Sequence, residues 1–218
     1  LRHGRAPIDG AILLTPDVDD ERLSEMENNR THCVVIGRPT DSSLGYVDID
    51  NKKLIIDVCR KLIAEYGKDI YLLNSGSSLT ISQDRASGFY EICSECGIDG
   101  SQRVFFSESS SEEYGLALAK KLVKANSVFI TANEGLAKGV YAAVEQAGLQ
   151  VAKDVGVFAL GRSIEHGHFD PKLSYAKQNY AEIGRIAVES LIKEIKNGNK
   201  SHTLVDSDVV FRNSTSKQ

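Results

Sequence analysis

Few side chains in this sequence are spaced to make or break bonds, and two clusters come nearest. Cys93-Ser94-Glu95-Cys96 is formally a C-x-x-C, the spacing of a redox dithiol or of half a zinc site. A redox pair sits at a helix N-terminus, where the dipole lowers the thiol pKa. This pair stands at the end of a predicted helix, just before Gly97, and no second ligand pair is spaced to complete a zinc site. It reads as two apolar thiols three apart on a buried helix face. His166-Gly167-His168 lies between Glu165 and Asp170, and in an extended loop the two imidazoles could converge. Nothing elsewhere completes a ligand set at a recognisable spacing, so a solvated loop with a ligand contact is expected rather than a metal centre. No catalytic residue, metal or cofactor is expected.

There is no G-x-x-x-x-G-K-[ST] phosphate loop, no G-x-G-x-x-G after a strand and no G-x-S-x-G elbow. The loop Asn74-Ser75-Gly76-Ser77-Ser78-Leu79-Thr80 could cradle a polar ligand with its amides and hydroxyls, or serve only as a polar turn. The acidic group Glu108, Glu112 and Glu113 suits a helix start, and Lys193, Lys196 and Lys200 suit a helix end. The helix dipole explains both without a function.

The elements that must position these residues alternate. Strand candidates are Ala11–Thr15, Cys33–Gly37, Tyr46–Ile49, Ile70–Asn74, Val104–Phe106, Val128–Ala132 and Val155–Leu160. Between them run amphipathic helices, one over Lys52–Tyr66, one around Tyr114–Leu122 and one around Leu136–Ala147, with apolar residues at i, i+3, i+4 and i+7. Thr80-Ile81-Ser82-Gln83 and Thr131-Ala132-Asn133-Glu134 fit capping boxes, with Asn133 an alternative cap, and Gly67, Gly97 and Gly148 stop helices. Late in the chain come a strand over Leu173–Ala176, a long helix over Tyr180–Lys196 and a strand or strand pair over Thr203–Phe211.

Such alternation implies an α/β fold with parallel sheets and right-handed crossovers, in which ligands bind at the carboxyl ends of strands. That directs attention to Asp50, the loop Ser75–Ser82, Asn133 and the segment Gly161–Asp170. The 218 residues allow one large domain or two small ones. With Lys plus Arg at 26 and Asp plus Glu at 30, the formal net charge of −4 argues against polyanion binding over most of the surface. The four cysteines are no disulfide framework and read as reduced thiols of a cytoplasmic protein. No apolar run is long enough for a transmembrane helix, and the first residues lack the hydrophobic region of a signal peptide.

A series of segments, in order across nearly the whole chain, resembles the lactose-repressor family of bacterial transcription regulators. Ile8–Leu14 resembles its "VDGIIL" strand and Val34–Pro39 the next strand. Tyr46–Asn51 is similar to "V-x-x-D-N", and Asp84–Phe89 to "x-R-x-x-G-F". Thr131–Ala137 is similar to "x-x-N-D-x-x-A". Ala176–Asn179 followed by Ile183–Ala187 resembles "I-K-Q-D" followed by "x-G-x-x-A", and Phe211–Ser214 the terminal "x-R-x-S".

The resemblance implies a periplasmic-binding-protein-like core: two doubly wound parallel-sheet lobes joined by three crossovers, with an effector held between them. Residues 1–67 and 177–205 would form the N-terminal lobe, and 68–176 with 206–218 the C-terminal one. The first lobe would be incomplete at its N-terminus, leaving an unpaired strand edge and an exposed apolar face. Residue by residue, the resemblance puts Asp50 on ligand hydroxyls, Arg85 as a forked donor to hydroxyls or a carboxylate, Asn133 as a mixed amide, Gln178 at the return crossover and Tyr180 against a sugar face. Arg85 could instead pair with a neighbouring carboxylate, and Asn133 could be only a helix cap.

Two positions depart from the family. Glu134 replaces the usual Asp, and Leu160-Gly161-Arg162-Ser163 stands where sugar-binding members carry a carboxylate. Arg162 adds a donor in place of an acceptor, which favours an anionic effector or a larger saccharide over a small neutral sugar. The implied function is the ligand-sensing and dimerisation core of a regulator, a homodimer that meets operator DNA only through a helix-turn-helix headpiece absent from this chain. The helix Glu134–Ala147 is one candidate dimer face. The alternative is a solute receptor for transport or chemotaxis on the same fold.

Overall fold

The computed structural model describes residues 8–107, 109–161 and 169–216. The chain opens with β1 (Gly10–Leu14), α1 (Glu21–Asn28), β2 (His32–Ile36), β3 (Gly45–Asp48) and α2 (Asn51–Tyr66). It continues through β4 (Ile70–Asn74), α3 (Thr80–Glu95), β5 (Val104–Phe106), α4 (Glu112–Leu122), β6 (Val128–Thr131) and α5 (Glu134–Gln146). Last come β7 (Gly156–Ala159), β8 (Ser174–Lys177), α6 (Tyr180–Asn197), β9 (His202–Leu204) and β10 (Asp208–Val210). The expected α/β alternation is present, interrupted where β2 and β3, β7 and β8, and β9 and β10 follow one another.

Local chemistry sets the helix ends. The carboxylate of Asp50 accepts from Lys53 N at 2.9 Å to start α2, and Ser111 Oγ accepts from Tyr114 N at 3.3 Å to start α4. Gly67, Gly97 and Gly148 follow their helices at φ of 98°, 64° and 70°, as the sequence predicts. The proposed capping box at Thr80 is not formed. Thr80 is already helical, and the Gln83 amide donates to Ser77 O instead.

The chain divides into two compact units. The first holds the described residues to Ile49, with Ser78–Ile81 and Asn179–Asp206. Its four-stranded sheet has the order β1-β2-β3-β9, parallel throughout. On one face Leu23 and Met26 of α1 pack on Leu13, Cys33, Val35 and Leu44. On the other lies α6, whose Leu191 and Ile195 close over Gly10. Because strand residues alternate between faces, Val34 is buried on the side opposite Cys33 and Val35. Among the described residues β1 pairs only with β2, and Ile8, Leu14, Val188 and Ile192 are exposed.

The second unit holds Asp50–Ser77, Ser82–Gln178 and the described residues from Ser207. Its sheet has the order β10-β8-β7-β6-β4-β5, parallel except for the antiparallel β10. Phe129, Val157 and Ala159 pack on one face against Leu136, Val140, Ala143 and Val144 of α5. α4 and α5 cross closely at Gly139, where a Cβ would run into the backbone at Glu112 and Leu116. The apolar face of α5, a candidate dimer face from sequence, is spent on this core.

One sequence expectation changes here. The predicted lobe boundary at residue 67 moves to Ile49/Asp50, because α2 groups with the second unit. Its Tyr66 hydroxyl donates to Ala152 O at 2.9 Å, and Lys52 and Arg60 pair with Glu91 and Glu95 of α3. Lys61 Nζ sits 3.6 Å over the Phe211 ring. Of the strand or strand pair expected over Thr203–Phe211, the pair is formed, with β9 in one sheet and β10 in the other.

Candidate functional site

The parallel strands β4, β6, β7 and β8 all end at one edge of the second unit's sheet. β4, β6 and β8 end on polar residues, and β7 ends on Ala159. At the end of β4, fully buried Asn74 donates through Nδ2 to Ser82 O at 2.8 Å and accepts from Ser75 N at 3.1 Å. At the end of β6, Thr131 Oγ1 donates to Asn133 O at 3.0 Å. Asn133 caps α5, its Oδ1 accepting from Leu136 N at 3.0 Å, so the cap anticipated as an alternative is the one formed. Glu134 follows as the first helical residue and is half-buried. Beyond β8, Gln178 Nε2 donates to Leu160 O at 3.4 Å across the end of β7.

Arg85, in the second turn of α3, is only 3% exposed. Its Nε donates at 3.3 Å to Oδ1 of Asn51, itself buried at the first position of α2. A buried guanidinium must be hydrogen-bonded, and the Asn51 amide satisfies one of its N–H groups. Asp50, beside Asn51, is exposed and engaged as the cap of α2. Ser82 Oγ is buried without a hydrogen-bond partner among the described residues. Together Asn51, Asn74, Ser82 and Arg85 form a buried polar group that the selection of Asp50 and Arg85 only partly anticipated. Asn51 lay in the quoted D-N pair, but nothing in the sequence tells that the Asn turns inward and the Asp outward.

Of the other predicted residues, Tyr180 is 60% exposed at the start of α6, in the first unit. Arg162 lies outside the described residues, as do Glu165, His166 and His168. Among the described residues no cluster of His, Cys, Asp and Glu could hold a metal. Cys93 is buried near the end of α3, and burial pushes its thiol up to about 11, which keeps it protonated and poorly nucleophilic at neutral pH. This strand edge therefore offers amide donors, amide and hydroxyl acceptors and one buried fork of positive charge. It suits hydrogen-bonded recognition of a polar ligand.

Residues 62–215 match the sequence pattern of a family described as the periplasmic binding protein-like domain. The chain belongs to this family. The helix-turn-helix transcriptional regulator RegA of Clostridium saccharobutylicum is 25% identical over 95% of this chain and 65% of its own. The chain thus spans about two thirds of the length of the relatives it matches. A LacI transcriptional regulator from Bacillus cereus superposes with a TM-score of 0.88 at 23% identity, over 97% of this chain and 77% of that one. A complex of the transcriptional regulator CelR with cellobiose gives 0.85 at 20% identity, over 95% and 66%. The fold expected from the lactose-repressor resemblance is thereby found, and the family offers a binding scaffold rather than catalytic machinery. No helix among the described residues is long and apolar enough to cross a membrane.

Proposed function

We propose that this chain is the effector-binding and dimerisation core of a lactose-repressor-type transcription regulator. The observation that carries the reading is the collection of Arg85, Asn51, Asn74, Asn133 and Gln178 at one carboxyl strand edge, where α/β sheets hold ligands. The effector is a saccharide or sugar derivative. Arg85 donates to it, Asn133 and Glu134 read its hydroxyls, and Asp50, Arg162, Gln178 and Tyr180 complete the contacts. The transcriptional regulator CelR, solved with cellobiose, supports this class of ligand. The whole protein would act in the cytoplasm as a homodimer and reach operator DNA through a helix-turn-helix headpiece outside these residues. Effector and DNA would be coupled by a differential affinity of ~1–3 kcal/mol, with no bond made or broken.

A thermal-shift screen of mono- and disaccharides, sugar phosphates and nucleobases tests the reading. A ligand at a hundredfold over its Kd adds about 2.7 kcal/mol, roughly 5–10 °C in a chain of this size. Arg85→Ala should abolish the shift. A shift that survives in Arg85→Ala removes the site from this edge, and a bound metabolite that is turned over removes the non-catalytic reading.

A further inference from the structure

Glu194 lies near the C-terminal end of α6 and is 3% exposed. One carboxylate oxygen accepts a long bond from Cys33 N at 3.4 Å and lies 3.6 Å from His32 Nδ1. The other, Oε2, has no hydrogen-bond partner among the described residues. Ser201 Oγ is buried and unpartnered in the same way. The two residues meet beside Gly45, where a Cβ would come 3.8 Å from Glu194 Oε2 and 3.4 Å from Ser201 N. A buried carboxylate oxygen without a donor is costly, and a single partner of opposite charge offsets that cost.

Glu194 lines a cavity of about 240 Å³, smaller than the ~300–1,000 Å³ of drug-sized pockets and therefore of metabolite size. It opens at the amino ends of β2 and β3, the opposite end of the strands from the carboxyl edge where α/β sheets hold ligands. Gly198, the C-cap of α6, lines it too, so the negative end of an 18-residue helix adds to the carboxylate. Both features call for a cation at the buried end. Lys200 and Arg30 line the same cavity, the former reaching Ser43 Oγ at 3.4 Å, and are exposed. Glu27 lines it too, its carboxylate bonded to Ser42 and Ser43, so the mouth carries two cations to one carboxylate. Negative charge deep and net positive charge outside is the complement of a zwitterion.

We propose that this cavity is a second ligand site of the first unit, taking a small metabolite of the α-amino-acid class. Its ammonium meets Glu194 Oε2, and its carboxylate faces Lys200 and Arg30.

The test is a calorimetric and NMR titration of the whole chain with the standard L-amino acids. Methylammonium and acetate serve as the cation-only and anion-only probes. At least one amino acid should bind saturably and shift the His32, Ser43 and Leu44 amides. Glu194→Gln and Lys200→Ala should each raise its Kd at least about tenfold. Arg85→Ala should leave this binding unchanged, which separates the site from the proposed saccharide edge. The proposal falls if no amino acid binds, if methylammonium binds as well as any amino acid, or if Lys200→Ala leaves Kd unchanged. Lys200 is on the surface, so that variant remains decisive if Glu194→Gln does not fold.

Discussion

Two buried polar clusters, one in each unit, are satisfied in opposite ways. In the second unit, Ser214 Oγ accepts from Ser174 N at 2.8 Å and donates to Val157 O at 2.6 Å, while Ser174 Oγ and Thr215 Oγ1 lie 2.6 Å apart. Each of these hydroxyls is used within the fold. In the first, Glu194 Oε2 and Ser201 Oγ are buried and unused. The sheets differ as well. Every residue of β4, β6 and β7 is buried, whereas no residue of β1 is. A closed hydrogen-bond network fixes structure, and an open one marks a place where structure is completed from outside. The Ser174–Ser214–Thr215 cluster of the second unit is thus closed, and the Glu194–Ser201 end of the first unit has polar surface still to satisfy.

That contrast can be broken by mutation. The largest effect should come from Phe158→Ala, which empties a fully buried position between sheet and helices and should cost about 3–5 kcal/mol. Leu14→Ala, at a side chain 57% exposed on β1, should cost no more than about 0.5 kcal/mol. Comparable losses in chemical denaturation would refute the difference between the sheets.

Next is the pair of buried serines. Ser214→Ala strands the Ser174 N–H and the Val157 carbonyl and should cost about 1–3 kcal/mol, whereas Ser201→Ala should fall within about 0.5 kcal/mol of the parent. If Ser201→Ala is the more damaging, its hydroxyl has a structural partner and the first unit is less open than described.

A smaller effect concerns the cap of α1. The Asp20 carboxylate is bonded to the Arg22 side chain, which holds its pKa below the ordinary carboxylate value. A lowered folded-state pKa contributes stability that is present above the unfolded-state value and lost as pH falls through the folded one. Amide exchange in α1 should therefore quicken below about pH 4, and Asp20→Ala should abolish that dependence and cost about 1 kcal/mol. The smallest effect is kinetic. Iodoacetamide should label half-exposed Cys96 well before Cys93, and mass spectrometry of the early adduct reads the order.

Legibility from the sequence followed the density of apolar signal. β4, β6 and β7 are short β-branched or aromatic runs, and α5 carries a full i, i+3, i+4, i+7 stripe, so each was placed to within a residue or two. Helix α1 escaped because only Leu23 and Met26 supply its apolar face, although Asp20 was a readable cap. Asn51 and Glu194 escaped for another reason. Both are polar residues in amphipathic helices, and helical period cannot say that they turn toward the protein.

Sequence alone determined the alternation of strand and helix, the caps and glycine stops, the carboxyl strand edge as the place for a ligand, and the resemblance that named the fold. These rest on local backbone preference and on motifs a few residues long. Tertiary structure alone decided that α2 joins the second unit, that Asn51 rather than Asp50 meets Arg85, and that one carboxylate oxygen of Glu194 is buried without a donor among the described residues. Each depends on which distant surfaces come together, and contacts across 34 residues, as between Asn51 and Arg85, or 161, as between Cys33 and Glu194, leave no trace in local periodicity.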